Sequence, residues 1–235
     1  MNMLKRHIAP ETSEITNFDI IKANSHKLSN GIRLFSINAG TEAVIRIEWL
    51  IKAGASYQDK TLTASTLSKI LKDGTAKMTS AEINEQLDFH GASLQASATA
   101  EHIVLVLYSL TKHLDTLLPL VKDILTCPTF PENELKIAKQ KSISILNINN
   151  NKNSFVARNT LDTCLYGNHN PYGYYPKAEE FNKINREDIV SYYSAQFTNH
   201  PWDIIASGKI SEKILNLISG TYESISFKNN NLIRY

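Results

Sequence analysis

Two cysteines in 235 residues, Cys127 and Cys164, are too few to staple a fold. They read as free, partly buried thiols. Cys127 precedes Pro128 with no His or Asn motif nearby, so a thiol nucleophile is not indicated. A basic cluster is also missing: 25 Lys and Arg against 23 Asp and Glu leave a net charge of +2, with the charges spread along the chain. That excludes the electrostatic footprint of nucleic-acid or anionic-membrane binding. Long apolar runs are absent too. No segment approaches the length of a membrane span, and "MNMLKRHIAPETSEITNF" places basic residues with no apolar run behind them. The resulting expectation is a cytoplasmic chain without a signal peptide.

What is present is the composition of an ordinary globular protein, 42% hydrophobic and 20% charged, long enough to bury a full core. Strand and helix signals alternate. "HKLSNGIRLFSIN" reads as two short extended runs around Asn30-Gly31, a dipeptide suited to the positive φ of a tight hairpin. "AVIRIEWLIKAGASYQ" continues as one long strand. "TASTLSKILKDGT" has the rhythm of a buried helix closing on a Gly. Thr79 with Glu82 makes a capping box, Ile83 and Leu87 an apolar stripe, and Gly91 a stop. "SLQASATAEHIVLVLYSL" gives two strands, the first alternating Leu94, Ala96, Ala98, the second a near-continuous apolar run from Ile103 to Leu107 that should lie deep in a sheet.

From Leu114 the spacing of Leu117, Leu118, Val121, Ile124 and Leu125 is helical, and Pro131 then opens another helix near its first turn. The Asn-rich run from Asn147 to Asn153 is a polar helix end or loop. Further helices are predicted near Ser154–Tyr166 and Arg186–Phe197, followed by a strand in "WDIIASGKI" and a helix from Ser211 to Leu217. The tally is α+β. No internal repeat is visible, and "KNNNLIRY" reads as the opening of a linker.

Several strings in this order resemble one family. "NGIRLF", "IKAGASYQD", a helix closing on "KDGT", "TSAEINEQLDFHGASLQASATAEH", "CPTFPENEL", "GNHNPYG" and "IIASG" are similar to the pitrilysin/insulinase-like metallopeptidases, the inverzincins, which include the mitochondrial processing peptidase subunits. The resemblance runs from about Asn24 to Ile210. It implies a processing-peptidase or LuxS-like domain, with a mostly antiparallel sheet of about five to six strands and helices packed on one face. It also implies an organisation: an extension over 1–23, one domain over 24–225, and the start of an interdomain linker over 226–235, with a second domain absent.

In active members the helix ending at Gly74-Thr75 carries the inverted zinc motif H-x-x-E-H. Two His four residues apart share a helix face and bind one zinc, and the Glu between them acts as general base on the zinc-bound water. Counting back from Gly74-Thr75, these positions fall on Ser65, Ser68 and Lys69. The third ligand of the family is a Glu after the "PENEL" region, and here no acidic residue occurs between Glu134 and Asp162. The resemblance therefore implies no metal, no cofactor and no catalytic residue. Lys69 would put a positive charge where the cation of active members sits.

Two other constellations carry candidate chemistry. His90 and His102, with Glu101 beside one of them, could form a displaced metal site, but a structural zinc needs about four convergent ligands, so polar strand-end histidines are the plainer reading. "GNHNPYGYYP" could be an aromatic binding loop or an ordered turn between helices, and the turn is preferred. The strand Leu94, Gln95, Ala96, Ser97 and Ala98 is different: its small side chains suit addition of an extended peptide as a further strand. An ordinary sheet strand under a helix fits equally well. The expected function is a non-catalytic subunit, pairing with a zinc-bearing sister subunit and helping to hold an extended peptide. The alternative is a structural or assembly protein that keeps the fold; a zinc-dependent peptidase ranks third. The isolated domain is expected to self-associate.

Overall fold

The computed structural model describes residues 9, 12–14, 16 and 18–228. Strand β1 (Asn24–Lys27) turns through Gly31, at φ +92°, into β2 (Arg33–Asn38), and the two pair antiparallel as the Asn-Gly signal predicts. Asn30 secures the turn, its amide donating to the carbonyls of Tyr222 and Ile225, each at 2.9 Å. Strand β3 (Val44–Ile51) follows, then helices α1 (Thr63–Ile70) and α2 (Ser80–Phe89), strands β4 (Ser93–Ala98) and β5 (Ile103–Leu110), and helices α3 (Leu114–Thr126), α4 (Glu132–Asn150) and α5 (Asn153–Tyr166). A short α6 (Ala178–Asn182), α7 (Arg186–Gln196), β6 (Asp203–Gly208) and α8 (Glu212–Tyr222) complete the described chain.

The strands form one sheet in the order β1-β2-β6-β3-β5-β4. Every neighbouring pair is antiparallel except β2 and β6, which run parallel, as a long crossover requires. β6 thus enters between β2 and β3, which sit far from it in sequence.

Local chemistry accounts for the element ends. The Thr79 hydroxyl accepts from the Glu82 amide while the Glu82 carboxylate accepts from the Thr79 amide, closing the capping box at α2. Pro131 stands at the N-cap of α4, beside its first turn. Ser211 caps α8, which runs past Leu217 to Tyr222 because Ile218 and Tyr222 continue its buried stripe.

Four expectations are corrected. The strand read through "KAGASYQ" stops at Ile51: Ala55 and Ser56 donate their amides to the carbonyls of Thr99 and Ala100 at 3.0 and 2.8 Å, drawing the chain out of the sheet onto the β4–β5 turn. Strand β5 is interior but not deep on both faces, since helices cover only the side of Ile103, Leu105 and Leu107 and leave Tyr108 and Leu110 exposed. Cys127 and Cys164 are exposed rather than partly buried, Cys164 because α5 buries none of its residues. Finally, Phe227 packs edge-on to Trp202 at 5.4 Å, so the packed chain extends into the segment expected as linker. Residues 229–235 of that segment and much of 1–17 lie outside the described residues.

Candidate functional site

Helix α1 places Ser65, Ser68 and Lys69 against its neighbours. It packs on β4 and β5 with one side and on α4 and α7 with others, and buries Ala64, Leu67 and Ile70. The helix is entered through Leu62, a buried residue at φ +69°, a backbone state that costs a non-glycine residue about 1 kcal/mol or more. The two serines are occupied locally: Ser65 Oγ donates to Leu62 O at 3.0 Å and Ser68 Oγ to Ser65 O at 2.9 Å. Lys69 turns its ammonium onto α4, donating to Ser142 Oγ at 2.6 Å, and lies 5.7 Å from the Phe181 ring. Loss of water around that ammonium pulls its pKa below the usual lysine range.

Zinc is the metal that active members of the resembled family carry on this helix, and the side chains here do not fit it. Both hydroxyls are committed to backbone carbonyls, and an ammonium is a donor with no lone pair to give. Among the described residues no group of three or more His, Cys, Asp or Glu could hold a metal ion. His90, His102 and Glu101 form no such group, and His90 lies against His113 with ring centroids 4.7 Å apart and planes tilted by 49°.

The groove between α1 and α4 has a volume of about 430 Å³. Besides Lys69 and Ser142 it contains Lys72, Asp73, Glu134 and Lys141. Burial pushes the Asp73 carboxyl above its usual range, Glu134 adds to the rise, and Lys72 and Lys141 oppose it.

Strand β4 packs under α1, pairs with β5 alone and forms one border of the sheet. Leu94 is buried and Ala96 and Ala98 half-buried on the face that carries α1; Ser93, Gln95 and Ser97 are exposed on the other. The outer edge of β4 has no strand partner among the described residues. The far end of β4 is fixed by Gly54, where a Cβ would fall 2.3 Å from Ala100 O, and by the Tyr172 hydroxyl, which donates to Glu101 at 3.0 Å. "GNHNPYGYYP" is thus an ordered turn between α5 and α6 that braces the β4–β5 turn. Ser142 and Tyr172 carry no individual signal in the sequence, and Glu101 is flagged there only beside His102, because each gains its role from a partner far along the chain.

The one-sided mixed sheet with a bordering strand under a helix recurs in solved structures of similar fold. A "peptidase M16 inactive domain" from Pseudomonas fluorescens superposes with a TM-score of 0.80 at 19% identity, over 91% of this chain and 53% of that one. A protease from Helicobacter pylori gives 0.74 at 17% identity, over 92% and 53%. The chain belongs to the insulinase family of peptidases, family M16, whose model matches residues 33–171. It is 23% identical over 201 residues to an "uncharacterized zinc protease YmxG" of Bacillus subtilis (strain 168), covering 83% of this chain and 49% of that protein. The chain therefore spans about half the length of the curated relative it matches.

Proposed function

We propose that this domain is a non-catalytic part of an M16 peptidase assembly, contributing chamber wall and a strand edge that holds an extended peptide. The observation that carries the reading is the pairing of an open β4 edge with a helix whose metal positions hold Ser65, Ser68 and Lys69. A strand edge offers main-chain hydrogen bonds to any extended segment, and small side chains leave room for it. The side chains at the α1 metal positions do not fit a Lewis acid, and on this reading the domain binds without cutting.

The reading includes a zinc-bearing sister subunit of the same family. Apolar side chains left open on the uncovered sheet face, Val44, Tyr108 and Leu110, and on α5, Leu161 and Leu165, supply surface for such a partner. The unpaired thiols of Cys127 and Cys164 agree with a reducing, cytoplasmic setting.

The test mixes the protein with a zinc-bearing M16 chain encoded beside it and follows complex formation by sedimentation and peptide cleavage by the partner. A complex with a raised cleavage rate is expected. Absence of a complex together with an unchanged rate removes the subunit reading in favour of a structural role for the fold.

A further inference from the structure

The groove between α1 and α4 contains a cation that the domain does not neutralise. Lys72 and Lys141 share their part of the groove with Asp73 and Glu134, so the two charges of each sign there largely offset one another. Lys69 is different. Among the described residues no carboxylate lies within ion-pair distance of it, and its bonded neighbour is the neutral hydroxyl of Ser142. Ser142 in turn donates its proton to Ala138 O at 2.6 Å, which leaves its oxygen facing Lys69 as an acceptor. The ammonium is thereby held in place with one of its three N–H groups used. A fixed, partly dehydrated cation with donors to spare is suited to an anion, because a charge-assisted hydrogen bond replaces the water already lost.

The position of this cation matters as much as its charge. Helix α1 packs on β4 with one side and on α4 with another, and β4 is the border strand. A segment added to the border would run about 4.8 Å beyond β4 and turn every second side chain toward the face that carries α1. On that face β4 presents Ala96 and Ala98, which place little bulk between the added segment and the groove.

We propose that the α1–α4 groove receives the carboxylate of an acidic side chain from an extended peptide lying along β4, with Lys69 as its counter-charge and Ser142 as the group that positions Lys69. The peptide class is an acidic segment in which Asp or Glu is flanked by residues able to run extended. The proposal rests on β4 being a peptide-binding edge, as put forward above.

The test measures fluorescence anisotropy of labelled extended peptides on the 235-residue chain. One peptide carries a central Glu, its twins Gln or Lys, and a fourth is the Glu peptide N-methylated at alternate amides. The Glu peptide is expected to bind about tenfold or more tighter than the Gln twin, the span of a hydrogen bond between charged groups. Lys69→Met should abolish that preference and Lys69→Arg should keep most of it, while N-methylation should weaken binding in every variant. Equal binding of the Glu and Gln peptides, or a preference that survives Lys69→Met, overturns the carboxylate site and leaves the edge reading standing. Full competition by free acetate at the concentration of the peptide overturns it as well, because the groove is then a bare anion site. Failure of every peptide to bind, or indifference to N-methylation, removes the edge reading and this proposal with it.

Discussion

Ser142 stands between Lys69 and its own helix, accepting the ammonium on one side and donating to Ala138 O on the other, both at 2.6 Å. One buried hydroxyl thus links α1 to α4. Ser142→Ala leaves the ammonium without its partner and should cost about 1–2 kcal/mol of unfolding free energy, measured by urea denaturation. Lys69→Met should change stability by less than that, since it removes a dehydrated charge together with the bond. The double variant should be no worse than Ser142→Ala alone; a larger, additive loss would mean the two residues act separately.

The same geometry predicts the metal chemistry. The chain as purified should hold no stoichiometric zinc, and its thermal midpoint should be indifferent to chelator. Replacing Ser65 and Lys69 by His and Ser142 by Glu puts two imidazoles on one face of α1 and a carboxylate opposite on α4. That triple variant should take up about one zinc per chain by metal analysis and gain a chelator-sensitive midpoint. Zinc bound by the unaltered chain through α1 would contradict the site as described.

Activity follows from the same side chains. Incubated alone with unstructured peptides, the chain should release no products. Chelator-sensitive hydrolysis that co-purifies with it through successive columns would defeat the non-catalytic reading.

Gly54 provides a stability test next to the border strand. Gly54→Ala would drive a Cβ to within 2.3 Å of Ala100 O, so the β4–β5 turn must move. The cost should be on the order of 2–3 kcal/mol, at the upper end for an added methyl group in a packed site. Tyr192, whose hydroxyl donates to Gly54 O at 2.8 Å, should show the displacement as a changed side-chain environment by NMR.

How much of this was legible beforehand depended on range. The cap at Thr79, the turn at Gly31 and the apolar stripe of α3 are local patterns, and each appears where the spacing put it. The end of β3 was not legible, because "KAGASY" is turned aside by the carbonyls of Thr99 and Ala100, more than 40 positions on. The border position of β4 was equally hidden: strand order is set by which partners close late, and nothing within "SLQASA" states that only β5 will pair with it. In the site, the residue types at Ser65, Ser68 and Lys69 could be read directly. The groove could not, since Ser142 meets Lys69 across 73 positions through helix packing alone.

A pH response is expected from His113. Loss of water around its ring, helped by Lys112 and His90, lowers its pKa in the folded chain below the 6.5 of an unfolded histidine. Below pH 6.5 the unfolded state then binds more protons, so this residue lowers stability as pH falls through that value and contributes nothing above it. Measured between about pH 7 and 5, above the range where the carboxylates Glu82, Glu180 and Asp188 lose their own contributions, the slope should be shallower in His113→Asn. An unchanged slope would place the acid sensitivity elsewhere.

The late insertion of β6 has a consequence for how the protein is made. Ile204 faces Leu34 on one side and Trp49 on the other, and Arg33 finds Asp203 only 170 positions downstream. A chain emerging from the ribosome therefore carries β2 and β3 with a gap between them until nearly all of the domain has been synthesised. During that interval two apolar strands offer unpaired backbone to any neighbour, and the entropy of closing so long a loop delays the remedy. Slow maturation and a need for protection of the nascent chain are built into this strand order, whatever the finished domain goes on to bind.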